Sequence, residues 1–205
     1  MARLQMMGYL PTRPSPTGQS LREATMKQAH VRIEPVEQHH IAAIQELASD
    51  PAIGEMSNVP FPYPADEALH FVQRAREGRQ AEHLYSFAVI SEEHKCVGIC
   101  SLIEVKPEAR RAELGYWIGR PYWGRGLATE AGLLVLAYAF DELNLLLVTA
   151  GCLERNTASR HVLEKLGFCL QQVRPTFFYK THQQEPACLF ELSREQWVNI
   201  QRVSS

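Results

Sequence analysis

Residues 119–131 read Gly-Arg-Pro-Tyr-Trp-Gly-Arg-Gly-Leu-Ala-Thr-Glu-Ala, and no other stretch constrains the chain as strongly. A β-rich run, Ala112–Ile118, leads in, and a long apolar run, Leu127–Phe140, leads out. The pattern predicts a strand, a tight turn and a helix. The first turn of a helix leaves backbone N–H groups without partners, and beside a glycine turn these form a ready cradle for a phosphate or pyrophosphate. Gly124 and Gly126 carry no side chain, so a ligand can approach the backbone there. A P-loop would close this turn with Gly-Lys-Ser/Thr, which is absent. A dinucleotide fingerprint would place Gly or Ala where Thr129 stands, and an acid about 20 residues on, where position 144 is Asn. A plain strand–helix turn remains the ordinary alternative.

Length and composition bound the rest. The 205 residues suit one domain, with or without a tail, and 45% hydrophobic residues suffice for a full core. A net charge of −2 offers no basic field for nucleic acid or an anionic membrane, so an anionic ligand must be held locally. No apolar run reaches the roughly 18 residues of a membrane span. The five cysteines, Cys96, Cys100, Cys152, Cys169 and Cys188, contain no Cys-x-x-Cys and are odd in number. They read as buried thiols of a cytoplasmic protein rather than a disulfide framework or zinc site. The histidines lack metal spacing, and His39-His40 at a helix start reads as capping or surface. No metal is expected.

Residues 1–28, with Pro11, Pro14 and Pro16 and no apolar periodicity, read as a flexible N-terminal arm. Met26, just before the first strand pattern, is a plausible natural start. Residues 29–205 form the domain. Val31, Ile33 and Val36 suggest a first strand. Ile41, Ile44, Leu47 and Ala48 recur at helical spacing, and Asp50-Pro51 stops that helix. Asp66 can cap a second helix with Leu69, Phe71 and Val72 on its buried side. Tyr85–Ile90, Lys95–Val105 and Arg111–Ile118 read as strands, followed by the helix after the glycine turn, which ends near Asn144. Leu145–Leu153 reads as a central strand buried on both faces. Asn156–Leu166 is a short helix stopped by Gly167. Phe168–Val173 and Pro186–Leu192 are closing strands around a pocket-lining loop, Pro175–Gln184. The class is α/β (α+β), a mixed sheet with helices on both faces.

The chain resembles the GNAT N-acetyltransferases, in particular the RimJ/RimL-like branch, from about residue 30 to Trp197. Trp123-Gly-Arg-Gly-Leu-Ala128 resembles the family's acyl-CoA pyrophosphate loop, Gln/Arg-x-x-Gly-x-Gly/Ala, with Trp123 in place of Gln or Arg. Glu113-Leu-Gly-Tyr-Trp-Ile118 resembles its fourth strand. Asn156-Thr-Ala-Ser-Arg-His-Val-Leu-Glu-Lys-Leu-Gly-Phe168 resembles the helix beside the pantetheine arm, and Leu192-Ser-Arg-Glu-Gln-Trp197 the branch's chain end. The resemblance implies the GNAT fold, with a mostly antiparallel sheet whose fourth strand splays from the fifth. It also implies transfer of an acetyl group from acetyl-CoA to a primary amine. It assigns the cosubstrate to Tyr116, Trp117, Ile118, Trp123, Gly124, Arg125, Gly126, Leu127, Ala128, Thr129, Asn156, Ser159 and Arg160.

Such a reaction needs a neutral amine, a polarised thioester carbonyl and a proton for the departing thiolate. The resemblance puts the carbonyl-polarising N–H near Trp117 or Ile118. The Tyr that serves many members as general acid is Leu163 here, so Ser159 is the candidate donor, against the alternative of a helix Ser bonding back to the turn before it. Asn156 is assigned to pantetheine and also fits a plain N-cap. Arg155 and Arg160 can reach phosphates or stay solvated. Glu113, with Glu104 nearby, is the candidate base, against a structural ion pair with Arg110 or Arg111. Phe61, Tyr63, Phe177 and Tyr179 line the acceptor pocket or simply pack. The partner is an amine acceptor, a small molecule or a protein N-terminus, with the chain a monomer or homodimer. A non-catalytic acyl-CoA-binding module is the competing class. A nucleotide oxidoreductase is a third, disfavoured by Thr129 and by the missing acid.

Overall fold

The computed structural model describes residues 30–93 and 95–203. The arm expected at residues 1–28 lies outside the described residues. The strands are β1 (Val31–Pro35), β2 (Tyr85–Ser91), β3 (Cys96–Lys106), β4 (Arg111–Ile118), β5 (Leu147–Leu153), β6 (Cys169–Phe178) and β7 (Gln183–Ser193). The helices are α1 (Ile41–Ala48), α2 (Pro51–Met56), α3 (Glu67–Gln80), α4 (Leu127–Ala137), α5 (Thr157–Lys165) and α6 (Arg194–Val203). One seven-stranded sheet runs in the order β1-β2-β3-β4-β5-β7-β6. Among the described residues only β4 and β5 pair in parallel; the other pairs are antiparallel.

The sheet separates two apolar layers. On one face α4, α5 and α6 bury Leu127, Val135, Leu136, Leu163, Leu166 and Trp197 against Phe87, Leu102, Leu114, Val148 and Phe190. Each such side chain contributes roughly 1.5–3 kcal/mol of transfer free energy. On the other face α1 and α3 bury Ile44, Ala68, Val72 and Ala75 against Ala88, Ile90 and Ile99. Alternation along the strands sends Tyr116 to the α4/α5 layer and Trp117 to the α1/α3 layer.

Several local expectations change. Asp50-Pro51 ends α1 but also starts α2: the Asp50 carboxylate accepts from the Ala52 N–H at 2.9 Å, and Pro51 takes the first helical position. Asp66 precedes α3 without capping it through its side chain. Leu69 is half exposed, whereas Val72 is buried and Phe71 packs against the core as expected, with Ala68 and Ala75 beside them. β5 alternates between covered and open rather than being buried twice over, because α1 and α3 cover β2 and β3 but not β5. The expected loop 175–184 is a hairpin: β6 runs to Phe178 and β7 resumes at Gln183. Among the described residues no helix is long and apolar enough to cross a membrane.

Candidate active site

The sheet opens at one place. β4 and β5 stay in register through Arg111–Leu147, Ala112–Val148 and Glu113–Thr149, and pairing stops there. β4 continues to Ile118, and β5 to Leu153, paired only with their outer neighbours β3 and β7. Strand alternation decides which backbone groups face the gap. The Gly119 N–H donates to the Val97 carbonyl at 2.8 Å, so odd-numbered residues of β4 turn to β3. Tyr116 and Ile118 therefore present their backbone groups to the opening, while the Trp117 amide is spent on β3. Of the two carbonyl-polarising amides expected from the sequence, only that of Ile118 is available. The Trp123 indole donates to the Ile118 carbonyl at the end of the gap. On the opposite bank, the Leu147 N–H donates to Arg110, so odd-numbered residues of β5 face β4. The Asn156 N–H holds the Leu153 carbonyl at 2.9 Å, and Gly151 remains open. These free groups fit a chain of amides such as pantetheine.

The glycine turn lies at the end of β4. Gly124 and Gly126 have φ of +75° and +80°, and a Cβ at either position would meet nothing within 4 Å. Both glycines are thus required by backbone conformation and border open space. The first helical N–H with an acceptor in the chain is that of Thr129, on the Gly126 carbonyl at 3.0 Å. The N–H groups of residues 124–128 have no acceptor among the described residues, whereas that of Thr129 turns into the helix. Leu127 is buried and anchors α4, Ala128 packs beside it, and Arg125 folds back onto the Pro121 carbonyl at 3.1 Å and over the Tyr122 ring. Five unspent donors at a helix N-terminus are an arrangement that suits an anion.

The start of α5 closes the cleft on its α4 side. The Asn156 carboxamide oxygen accepts from the Ser159 N–H at 3.1 Å, and its nitrogen donates to the Met56 carbonyl at 3.3 Å. Ser159 does not bond back along the helix; its Oγ lies 2.9 Å from the Tyr116 hydroxyl. Burial pushes the Tyr116 phenol well above its ordinary value, and the Cys152 thiol beside Ser159 up to about 11, so both are protonated near neutrality. Leu163, at the slot of the usual tyrosine, is fully buried. Arg160 has a buried Nε with no partner, which fits an absent anionic or carbonyl ligand. Arg155 is committed elsewhere: it donates to Glu185 at 2.8 Å and to the Glu55 carbonyl at 3.1 Å.

Glu113 occupies the opposite face, at the point where the strands part. Its row across the sheet is Ile103, Glu113, Thr149 and Glu191. No ion pair joins it to Arg110 or Arg111 among the described residues; Arg110 donates to the Asn144 carbonyl instead. Burial first, and the Glu104 charge second, hold the Glu113 carboxyl above the usual carboxylate range. Gly115 and Gly151 flank the opening on this same face, and a Cβ added at either would find its nearest neighbour no closer than 3.6 Å. These two positions leave the gap uncovered on this face.

One tie between remote segments is announced by no local pattern in the sequence. Lys180, in the β6–β7 turn, donates to the carbonyls of Gly54, Ser57 and Val59, and the Tyr179 hydroxyl donates to Asn58 at 3.1 Å. The hairpin is thereby tied to α2 and the segment after it. Tyr63 packs into the α1/α3 layer, while Phe61 and Phe177 stay exposed. One group of His, Cys, Asp and Glu donors converges among the described residues: Glu34, His39 and His40. The His40 Nδ1 accepts from the Glu37 N–H at 3.1 Å. The ring's proton therefore sits on Nε2, facing Glu34, which suits a capping imidazole and not a metal ligand.

The comparisons agree with this geometry. Residues 30–169 match the model of the Acetyltransferase (GNAT) domain. The chain is 31% identical over 121 residues to the uncharacterized N-acetyltransferase p20 of Bacillus licheniformis, covering 58% of this chain and 68% of that protein. It is 31% identical over 100 residues to the putative ribosomal N-acetyltransferase YdaF of Bacillus subtilis, covering 49% of this chain and about half, 55%, of that relative. Among solved structures, the spermidine N-acetyltransferase of Vibrio cholerae in complex with CoA and spermine superimposes with a TM-score of 0.74 at 19% identity, covering 84% of this chain and 100% of that one. With the parted β4 and β5 strands, the glycine cradle before α4 and a family match across both, this chain belongs to the GNAT acetyltransferase family.

Proposed function

We propose that the chain transfers the acetyl group of acetyl-CoA to a primary amine by direct attack within a ternary complex. The observation that carries this reading is the parting of β4 from β5 beside an unspent N–H cradle, with a raised-pKa carboxylate on one face and a paired hydroxyl on the other. The N–H groups of residues 124–128 hold the pyrophosphate. Free backbone groups of Tyr116 and Gly151 hold the pantetheine arm, and Arg160 brings its unpartnered Nε to the same ligand. The Ile118 N–H polarises the thioester carbonyl. Glu113 takes the amine's proton on the acceptor face, directly or through water. As the tetrahedral intermediate collapses, the C–S bond breaks, its electron pair goes to sulfur, and Ser159 supplies the proton, to be replenished from solvent. The two faces divide acid from base, so neither quenches the other.

The E-L-G-Y-W strand and the Y-W-G-x-G turn favour the RimJ/RimL-like branch. Relatives and neighbours named for spermidine and for ribosomal proteins support an acceptor that is a small amine or a protein N-terminus. We place one such site in each chain, of a monomer or a homodimer. Five free cysteines support a cytoplasmic setting.

Initial-rate kinetics test the ternary complex: intersecting double-reciprocal lines are expected, with no acetylated enzyme accumulating when acetyl-CoA is supplied alone. Parallel lines with a burst of free CoA thiol would point to a covalent acyl-enzyme and contradict direct attack. Two variants should separate chemistry from binding. Ser159→Ala is expected to lower kcat by about 10²-fold with little change in acetyl-CoA affinity. Asn156→Ala is expected mainly to raise the KM for acetyl-CoA, because it frees the first turn of α5. An unchanged kcat for Ser159→Ala, with acceptor saturating and chemistry rate-limiting, would leave Ser159 a packing residue.

A further inference from the structure

Tyr116 enters the site twice, through its backbone on the gap and through its side chain on Ser159. The hydroxyl lies 2.9 Å from the Ser159 Oγ and 3.2 Å from the Ser159 carbonyl oxygen. It has one proton and two acceptors to choose from. If that proton goes to the carbonyl, the Ser159 hydroxyl donates to the Tyr116 oxygen and has nothing left for the cleft. If it goes to the Ser159 Oγ, the Ser159 proton is released from Tyr116 and is free for the gap between β4 and β5, with the Cys152 thiol beside it as the one competing partner. The shorter contact is to Oγ. The carbonyl has a second claim on it, because residues later in α5 take up such carbonyls in the ordinary helical ladder.

We propose that Tyr116 is a positioning residue that donates to the Ser159 Oγ and so aims the Ser159 proton at the departing sulfur. This rests on the acetyl-transfer reading above. Burial pushes the phenol well above its ordinary value, so Tyr116 keeps its own proton near neutrality and the transferred proton is that of Ser159. Its part is a hydrogen bond that strengthens as Ser159 gives its proton up: charge builds on Oγ, and a phenol donor in a buried setting stabilises it more than a neutral hydroxyl. The proton balance stays that of the reaction. The amine loses one proton on the Glu113 face, the C–S electron pair goes to sulfur, and sulfur gains one proton from Ser159.

The competing role is structural: Tyr116 as a tie that bonds the Ser159 carbonyl and pins α5 to β4. The two roles separate in a double-mutant cycle of Tyr116→Phe and Ser159→Ala, assayed with acetyl-CoA and spermidine or a peptide with a free N-terminus, whichever the unmodified chain acetylates faster. Acetyl-CoA affinity by calorimetry and amide hydrogen exchange over residues 157–165 are read in parallel. The expected result is a roughly tenfold loss of kcat in Tyr116→Phe, an unchanged acetyl-CoA Kd, unchanged exchange in α5, and no further loss when Tyr116→Phe is added to Ser159→Ala. Equal losses in both backgrounds, a loss confined to Kd, or faster exchange at the start of α5 would overturn the positioning role and leave Tyr116 a tie. An inert Ser159→Ala variant overturns it too, since Tyr116 would then have nothing to aim. Failure of the unmodified chain to acetylate any amine would instead remove the acetyl-transfer reading on which the inference stands.

Discussion

Glu113→Gln is expected to lower kcat/KM for the acceptor by about 10²-fold or more, the range of a lost general base, while acetyl-CoA binding is kept. The variant should also lose the acidic limb of the pH–rate profile. The sign follows from the environment. Burial and the Glu104 charge raise the Glu113 pKa, so the carboxylate becomes available as base only above that raised value, and activity falls as pH drops through it. The same shift makes a statement about stability. A carboxyl raised on folding favours the folded state below its unfolded pKa, and that contribution is lost as pH rises through the folded value. At neutral pH the ionised Glu113 is thus a burden on the fold, and Glu113→Gln should raise the melting temperature there even as it removes activity. Glu104→Gln supplies the graded control: with the second cause of the shift gone, the acidic limb should move to lower pH. A Glu113→Gln variant with undiminished kcat/KM would take the base role from this residue.

Gly126→Asn is expected to abolish the thermal protection given by acetyl-CoA while costing the free protein little. The position sits at φ +80° with nothing within 4 Å of an added Cβ. Space is therefore available in the free protein, and asparagine is among the residues that best tolerate the left-handed region. The new side chain would fill the concavity over the N–H groups of residues 124–128, which is the volume assigned to the pyrophosphate. Gly126→Val should lose the same protection but also destabilise the fold, by about 1–2 kcal/mol, because a β-branched residue resists this conformation. Comparing the two separates the conformational cost from the blocked cradle. Full acetyl-CoA protection in a folded Gly126→Asn protein would place the anion elsewhere.

Much of this architecture can be read from the chain. The strand Arg111–Ile118 has the boundaries its alternation predicts, and the turn at 123–126 carries glycines where the backbone must enter the left-handed region. Local pattern suffices there because a half-buried strand and a positive-φ turn each leave a mark on their own residues. The sequence is silent where the outcome depends on remote neighbours. Leu145–Leu153 is apolar but for Thr149, yet it is covered mainly on its α4/α5 face, since the helices on the other face stop over β2 and β3. Pro175–Gln184 reads as a loop because its residues are polar and aromatic without alternation; both faces of β6 are exposed, so no burial pattern is imposed on it. For the same reason Lys180 gives no signal, its three carbonyl partners being more than a hundred residues away.

At the site the split is similar. The glycine cradle and the Asn156 cap are local motifs and can be recognised as such. That the Trp117 amide is spent while the Ile118 amide is free depends on strand parity, which the register with β3 reveals. That Arg155 belongs to Glu185 rather than to a phosphate depends on the β6–β7 hairpin. The Tyr116–Ser159 pair joins residues 43 positions apart. Its one hint in the sequence is that each lies in a stretch resembling a family motif.

The most direct measurement is acetyl transfer itself. The full chain would be incubated with acetyl-CoA and, separately, with spermidine, a peptide bearing a free N-terminus, an amino acid and an aminoglycoside. Release of CoA thiol and the mass of each acceptor would be followed together. The account predicts stoichiometric thiol release with acetylation of a primary amine in at least one of these, and loss of that turnover in Glu113→Gln despite normal acetyl-CoA binding. Tight binding of acetyl-CoA without turnover on any acceptor would contradict it, and would identify the protein as an acyl-CoA-binding module that keeps the family's cleft without its chemistry.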